Sequence, residues 1–312
     1  VKRIYPHFKV RLSAHRFTDN ARKAKFWEDN GVDCIVVSEV NIYREFKVME
    51  SIRRSVSCDL QLIVNNSCRQ DCAIADCHAT SLNHASQCSS RKGMPLDYCS
   101  VACLDFRLRE PVNYLRANWI RPEDVHLYED MGYDNFKIVE RNTPTPLLVD
   151  RTRAYAERSY DGNLLDLVWN VAYPPEAYNG KAKEAYSMRR FLRYFVRPRT
   201  VNVLKFLQVM DMGKHQGILY PRRAGKHFIE IDNKALDGFI DHFRENTCLD
   251  VVCEECRYCH DWADRVVKID PEWKEKAHEQ YGQLLDDLHT GSMWEPVVAT
   301  AARKVRDVIA RH

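Results

Sequence analysis

The cysteines constrain this chain more than any other feature of its sequence, because most of them fall into two groups. Of twelve cysteines in 312 residues, six lie between residues 68 and 103 and four between residues 248 and 259. Thiols grouped in this way are typical of metal sites, whereas disulfide frameworks belong to secreted proteins. The amino terminus has no signal-peptide pattern, and no apolar run approaches the roughly 18 residues of a membrane span. We therefore expect a cytoplasmic, metal-binding protein with no membrane partner.

Two pairs of cysteines in the first group share one spacing. Three residues separate Cys68 from Cys72, and three separate Cys99 from Cys103. Brought together, the pairs would form a cage of four thiolates, which is typical of zinc or of an iron-sulfur cluster. Structural zinc more often uses pairs separated by two residues, so the spacing favours a 4Fe-4S cluster and leaves zinc as the alternative. Thiols buried as small apolar side chains are the remaining interpretation.

A third cysteine, Cys77, extends the first pair to C-x3-C-x4-C. Radical-SAM enzymes use a shorter C-x3-C-x2-C motif together with a glycine-rich segment, which does not accompany the cysteines here. A radical-SAM-like enzyme is therefore an alternative that the longer spacing disfavours.

The second group is a candidate second metal site, formed by Cys248, Cys253, Cys256 and Cys259. Its C-x4-C-x2-C spacing matches plant-type ferredoxins, and its C-x2-C-x2-C spacing resembles the bacterial cluster run. From spacing alone, a second cluster, a zinc site and ligands that complete the first cage are all open.

The succession of apolar runs predicts an α/β protein. The run Leu60–Val64 predicts a buried strand directly before Cys68. A helix end, a glycine and the start of a strand follow one another in residues 27–33, and the same order recurs from residue 128. Between these two units, Pro122 and the two acidic residues after it predict the start of a helix. Repetition of this unit builds a βα barrel or a doubly wound sheet, in which the loops beyond the carboxyl ends of the strands carry the chemistry.

Two domains are expected from this pattern. Residues 1–247 are predicted to form a TIM-like barrel, complete or incomplete, that includes residues 68–103 as a cysteine-rich iron-sulfur loop. Residues 248–312 are predicted to contain the second cysteine group and a tail of C-terminal helices.

Candidate catalytic residues lie near the first cysteine group and near a later strand. His78 and His84 fall in what we predict to be a loop, where each is a candidate acid or base, a metal ligand, or a hydrogen-bonded structural residue. Lys137 and Arg141 flank the end of the predicted strand 135–139, where a barrel presents catalytic groups; a solvated rim is the alternative interpretation.

Charge and motif content narrow the function classes. The formal net charge is +3, from 47 basic and 44 acidic side chains, so the composition does not favour nucleic acid, although RNA remains open as a partner. The sequence contains no G-x-G-x-x-G, P-loop, G-x-S-x-G or H-E-x-x-H motif, which disfavours nucleotide kinases, triad hydrolases and zincins.

Several segments together resemble the peptidase U32 family. These segments are LQLIVNNSCRQDC, NYLRANWIRPEDVHLYEDMGYDNFKIVER, RSYDGNLLDLV and NKALDGFIDHF before CEECRYC, and they cover most of the chain. The resemblance implies a TIM-type barrel with a 4Fe-4S cluster and a bound substrate. It assigns the cluster ligands to Cys68, Cys72, Cys99 and Cys103, and the substrate contacts to Arg121, Lys137, Arg141, Arg158 and Asn163.

The resemblance also implies a range of activities. Although the family carries a collagenase-like protease label, its better understood members look like iron-sulfur enzymes that hydroxylate ubiquinone precursors or tRNA uridines without molecular oxygen. In the tRNA case prephenate donates the oxygen, so an anionic co-substrate is expected beside a small-molecule or RNA substrate. A U32-type peptidase and a zinc-stabilised, non-catalytic subunit are the alternatives.

Two departures from the family pattern shape these expectations. The hydroxylase branch spaces its first cysteines more widely, so sulfur transfer or another group transfer is a further option here. Relatives of this subgroup also carry an additional amino-terminal segment with the first barrel strands. We therefore expect that those strands, a partner protein or a second copy of the chain completes the sheet, since an open edge invites aggregation.

Overall fold

The computed structural model describes residues 1–85, 98–139, 143, 145–168, 202, 204–205, 207–209, 222–223 and 226–295. The chain forms two compact units. The first consists of residues 1–87, 110–170 and 230–268, and the second of residues 88–109, 171–229 and 269–312. The first unit contains residues on both sides of position 247, and the domain boundary predicted there stays a prediction.

A parallel sheet lies at the centre of the first unit. Its four strands are β1 (Arg11–Leu12), β2 (Cys34–Val36), β3 (Asp59–Ile63) and β4 (Asn135–Lys137), hydrogen-bonded in that order. The predicted α/β class and the strand before Cys68 are confirmed. A closed barrel stays a prediction, since the part of the chain that the structure describes contributes four strands to this sheet.

Helices connect these strands and continue beyond them. In chain order the described α-helices are α1 (Ala21–Asp29), α2 (Phe46–Ser55), α3 (Ala75–Ala85), α4 (Tyr98–Arg109), α5 (Val112–Leu115), α6 (Val125–Asp130), α7 (Thr145–Glu157), α8 (Leu164–Val168), α9 (Asp241–Glu245), α10 (Cys253–Cys256), α11 (Tyr258–Val266) and α12 (Pro271–His289). The shorter strands are β5 (Arg222–Arg223), β6 (Lys226–His227), β7 (Ile229–Ile231) and β8 (Val267–Ile269). Of these helices α4 and α12 belong to the second unit.

The repeated junction of helix, glycine and strand is confirmed. Gly31 follows α1 with φ 83°, and Gly132 follows α6 with φ 90°, a conformation that side chains disfavour. The amide of each glycine donates to a carbonyl three residues earlier, from Gly31 to Glu28 and from Gly132 to Glu129, both at 2.8 Å. This helix termination turns the chain directly into β2 and β4.

Three buried tyrosines link the helices of the first unit to its sheet. The Tyr43 hydroxyl accepts from the backbone N–H of Ile63 in β3 at 2.7 Å. The Tyr128 hydroxyl of α6 donates to the Tyr43 carbonyl, and the Tyr133 hydroxyl donates to the Met49 carbonyl of α2, each at 2.7 Å. Because each hydroxyl has a partner, these large side chains are buried without an unsatisfied polar group.

The second unit contains a packed pair of helices. α4 buries Val101, Leu104 and Leu108, and α12 buries residues such as Ala277 and Tyr281. The two helices pack against each other. Because α12 lies in the carboxyl-terminal part of the chain, the prediction of helices there is confirmed. No helix among the described residues combines the length and the apolar character needed to cross a membrane.

Candidate functional site

The carboxyl edge of the sheet is held in place by an asparagine at the end of β3. Val64 continues the ladder, because its N–H donates to the Lys137 carbonyl at 3.1 Å. The side chain of the fully buried Asn65 then bonds the backbone of Val139 twice, donating to its carbonyl at 3.0 Å and accepting from its N–H at 2.8 Å. The loops that leave β3 and β4 therefore start from fixed positions.

The loop that carries Cys68 and Cys72 follows at once. The Asn66 side chain accepts from the N–H of Cys68 at 2.8 Å, and the Cys68 carbonyl accepts from the N–H of Asn118 at 3.1 Å. Further along, Asp71 adopts φ 50° and donates its N–H to a neighbouring loop. Cys68 is exposed and Cys72 is half-buried, and neither forms a disulfide within the described part of the chain. The structure therefore presents two thiols just beyond β3, on a loop whose backbone is anchored.

The prediction that His78 and His84 lie in a loop is wrong. Both lie on α3, whose sequence ADCHATSLNHA contains no glycine or proline to interrupt a helix. They are six positions apart, so they lie on different faces of this helix, with His78 half-buried and His84 exposed. Cys77 is exposed on the same helix. An acid or base role for the two histidines stays a prediction.

The second predicted pair of ligands lies on α4. Cys99 and Cys103 are four residues apart, so their half-buried thiols share one face of this helix. As the side chains stand, no three histidine, cysteine, aspartate or glutamate residues in the described ranges form a group that could hold a metal ion. The cluster predicted for Cys68, Cys72, Cys99 and Cys103 stays a prediction.

Arg121 lies in a network that uses all three of its nitrogens, and its side chain is only 2% exposed. The Asp124 carboxylate accepts from Nε at 3.0 Å and from Nη2 at 3.1 Å. The Asn233 carbonyl accepts from Nη1 at 2.5 Å, and Asp237 accepts from Nη2 at 3.0 Å. We name this group, with Glu123, the arginine clamp. Substrate binding by Arg121 stays a prediction, while these contacts give it a structural role.

Lys137 and Glu39 lie at the carboxyl ends of β4 and β2. Lys137 is exposed, and it is paired in register with Ile63 of β3. Burial raises the pKa of Glu39, and the positive charge of Lys137 acts in the opposite direction. One carboxylate oxygen of Glu39, Oε2, is buried without a hydrogen-bond partner in the described part of the chain. A catalytic role for Lys137 stays a prediction, and Arg141 lies outside the described residues.

Arg158 and Asn163 make contacts within the first unit. Arg158 adopts φ 55° and forms an ion pair with Glu129. The Asn163 side-chain oxygen accepts from the N–H groups of Leu165 and Ile231, each at 3.1 Å. Substrate binding by these two residues stays a prediction.

The second cysteine group surrounds one cavity, which we name the thiol pocket. Cys253 and Cys256 lie on the single turn of α10, and Arg257 with φ 52° redirects the chain so that Cys259 lies in the first turn of α11. Together with Cys248 these thiols line a cavity of about 420 Å³, whose walls also include Lys47, Arg116, His242, Phe243, Tyr258 and His260. The four cysteines of the second group thus line one cavity, and a metal site formed by them stays a prediction.

The loop before α10 is anchored by a buried carboxylate. Glu45 is 3% exposed at the start of α2. It accepts from the N–H of Cys248 at 2.8 Å and from the Thr247 hydroxyl at 2.6 Å. Burial raises the pKa of the Cys248 thiol to about 12, and the Glu45 carboxylate adds to this increase. Burial also raises the pKa of Cys259, whereas the charges of Arg44 and Arg116 lower it.

The sequence alone did not identify three basic residues near the thiol pocket as candidate site residues. Arg44 is 1% exposed, and Arg116 and His260 contact each other in the pocket wall, with Nη2 and Nε2 3.4 Å apart. His260 follows Cys259 directly, so its position in the sequence could have identified it. Arg44 and Arg116 are more than 130 residues from the second cysteine group, and no local pattern connects them to it.

Comparisons with known proteins give one similarity of sequence. No family model matches the chain, and no solved structure matches it. A protein of Methanocaldococcus jannaschii named as an uncharacterized protease is 26% identical over 262 residues, which are 83% of this chain and 61% of the relative. The chain thus spans less than two thirds of that protein's length. Its name agrees with the peptidase label of the family that the sequence resembles and suggests that the chain is similar to an enzyme, while membership of the U32 family stays a prediction.

Proposed function

We propose that this chain is an iron-sulfur enzyme of the U32 type, which modifies a small-molecule or RNA substrate by oxygen-independent hydroxylation or a related group transfer. The observation that carries the proposal is the position of Cys68 and Cys72 just beyond the carboxyl end of β3, on a loop anchored by Asn66 and Asn118. The proposed ligands of the 4Fe-4S cluster are Cys68, Cys72, Cys99 and Cys103.

The donor set fits such a cluster. Iron-sulfur clusters are held by four thiolates, and none of the described cysteines is in a disulfide. A bound cluster supplies electron transfer and, at an iron without a cysteine ligand, a site for a substrate oxygen or sulfur. The anchored loop limits how far the thiols of Cys68 and Cys72 move, which favours a preorganised site.

Other residues at the sheet edge have proposed roles in binding and proton transfer. Lys137 is exposed at the end of β4 and is suited to an anionic co-substrate such as prephenate, with Arg141 as a second cation. Glu39, whose pKa is raised by burial, is suited to holding a proton at the same edge. His78 and His84 are further acid or base candidates on α3.

A peptidase is the second candidate function, favoured by the name of the archaeal relative. The second unit contains an acid-base pair of a kind that hydrolases use. Nδ1 of His278, a half-exposed side chain, lies 2.7 Å from Oδ1 of Asp105, which is 4% exposed. A buried carboxylate bound to Nδ1 orients an imidazole and stabilises its charged form.

Metal analysis of anaerobically purified protein distinguishes the candidates. We expect a brown protein in which Cys68→Ser with Cys72→Ser removes about four iron atoms and as many sulfides per chain. Cys58→Ser is the matched control, because Cys58 is a half-buried thiol outside both cysteine groups and should leave the iron content unchanged.

Two results would contradict the proposal. Colourless protein with stoichiometric zinc would indicate the non-catalytic, zinc-stabilised subunit. Cleavage of casein that persists in the Cys68→Ser, Cys72→Ser variant and disappears in His278→Ala would indicate a peptidase.

A further inference from the structure

The thiol pocket combines four cysteines with a cavity large enough for a polynuclear group. A mononuclear zinc site draws its four sulfurs to about 2.3 Å from one point and leaves no cavity among them. Here Cys248, Cys253, Cys256 and Cys259 instead line about 420 Å³ of open volume. We propose that these four cysteines hold a 4Fe-4S cluster of their own. This proposal does not depend on the one made for Cys68 and Cys72.

Buried positive charge around the pocket supports an anionic occupant. Arg44 is 1% exposed, and its guanidinium donates to the carbonyls of Leu115 and Ala117, the latter at 2.8 Å. Its remaining contacts are with aromatic rings, for example with Trp119 at 4.8 Å from the ring centroid. Neither a carbonyl nor a ring neutralises a charge, and burying an unneutralised cation is costly.

A cluster ligated by four thiolates supplies the missing negative charge. The 2+ cluster core with four thiolates has a net charge of about −2. As thiolate ligands, Cys259 and Cys248 would stabilise the charge of Arg44, on which the Asp124 carboxylate also acts. Lys47 and Arg116 add two further cations to the pocket wall. In the described pocket wall the two cations outnumber the single carboxylate, Glu245, so the wall favours an anionic centre.

Buried hydrogen-bond donors without a partner in the described chain lie near the same cavity, two of them on residues that line it. Nε of Arg44 and Nε of Arg116 are buried and find no hydrogen-bond partner among the residues that the structure describes, and the same holds for Nδ1 of His260. Arg116 Nη2 lies 3.4 Å from His260 Nε2, and an arginine nitrogen only donates. Nε2 of His260 is therefore the acceptor of this bond. Two of the residues with a nitrogen lacking a partner, Arg116 and His260, line the pocket, and hydrogen bonds from such residues to the sulfurs of a cluster would tune its potential.

Anaerobic reconstitution of the full chain with ferrous iron and sulfide tests the proposal. We expect Cys253→Ser with Cys256→Ser to remove about four iron atoms per chain, while Cys58→Ser removes none. Unfolding curves measured anaerobically before reconstitution show whether the serine variant is folded.

The variant Cys68→Ser with Cys72→Ser makes the proposal testable even if the pocket variant does not fold. That chain should still hold about four iron atoms and give the electron paramagnetic resonance signal of a reduced 4Fe-4S cluster. Failure of the function proposed for Cys68 and Cys72 would leave this signal unchanged.

Arg116→Gln tests the role of the donors. This variant should keep the iron content of the unchanged chain. It should lower the reduction potential of the pocket cluster, the one that is lost in the Cys253→Ser, Cys256→Ser variant, because it removes a positive charge from the pocket wall. The proposal is overturned by iron content that is the same with and without the pocket cysteines, or by one zinc per chain that survives reconstitution and is lost with Cys253 and Cys256.

Discussion

The arginine clamp and the thiol pocket both bury a guanidinium in the first unit, and they satisfy it differently. Arg121 is 2% exposed and donates to the carboxylates of Asp124 and Asp237. Arg44 is 1% exposed, and within the described chain it donates to two carbonyls and to no carboxylate. Two guanidinium groups that are equally buried therefore differ in how their charge is compensated. The clamp contains its own counter-charges and stabilises the fold, whereas the pocket has a charge that a bound anion would neutralise.

The largest expected effect comes from breaking the clamp. Arg121→Gln leaves the buried Asp124 without its cation and should lower the free energy of unfolding by about 3–5 kcal/mol. Arg116→Gln in the pocket is the matched variant. Its nearest partners are His260 at 3.4 Å and Glu254 at 3.9 Å, so the cost in the cluster-free chain should stay below about 1 kcal/mol. Urea unfolding of both chains measures the difference.

Two outcomes would contradict this comparison. Equal losses of stability would show that the partners of Arg116 contribute as much as those of Arg121. A stable Arg121→Gln chain with weakened substrate binding would favour the substrate role that the family resemblance implies for Arg121.

A smaller effect, which depends on pH, is expected at Glu123 in the clamp. Glu123 accepts from the Asn233 side chain at 3.0 Å and from the Tyr160 N–H at 2.8 Å. Burial alone would raise the pKa of Glu123, but these hydrogen bonds outweigh it and hold the pKa below its ordinary value. Glu123→Gln should therefore lower the free energy of unfolding at neutral pH by about 1–3 kcal/mol, the range for a lost charged hydrogen bond.

The sign of the pH dependence follows from the lowered pKa. The ionised Glu123 contributes its full stability above the ordinary glutamate pKa, and this contribution is lost as the pH falls through the lowered, folded-state value. The difference in the free energy of unfolding between the unchanged chain and Glu123→Gln should accordingly become smaller at acidic pH. Unfolding curves at several pH values measure it, and a difference that is constant or widens in acid would contradict the assignment.

Features of the molecule that depend on local sequence could be predicted, whereas those that depend on tertiary contacts could not. The turns at Gly31 and Gly132 were predicted because a left-handed residue after a helix is a local requirement. The grouping of Cys248 to Cys259 was also local, and the structure places these cysteines around one cavity. The position of Arg44 near the pocket could not be predicted, because it depends on tertiary contacts with residues 115 and 117.

Local patterns gave less about tertiary partners. Pro122 and its acidic neighbours were interpreted as a helix start, which is confirmed. A short helical turn does begin there, but Glu123 bonds Asn233, which is 110 positions away. α3 was taken for a loop because the segment contains little continuous apolar sequence, although none of its residues interrupts a helix. Local patterns thus identified the junctions and the cysteine groups, whereas tertiary partners decided the contacts of the charged residues.

The smallest expected effect concerns the rim of the thiol pocket. Glu254 lies between two pocket cysteines, and its side chain is 73% exposed, with Oε1 3.9 Å from Nη2 of Arg116. Glu254→Gln should change the free energy of unfolding by no more than about 0.5 kcal/mol, because solvent and salt screen an exposed pair at this distance. Urea unfolding at low and at high salt measures the change. A loss above 1 kcal/mol at low salt would mean that Glu254 already neutralises Arg116, which would weaken the argument that the charge of Arg116 is available to a bound anion.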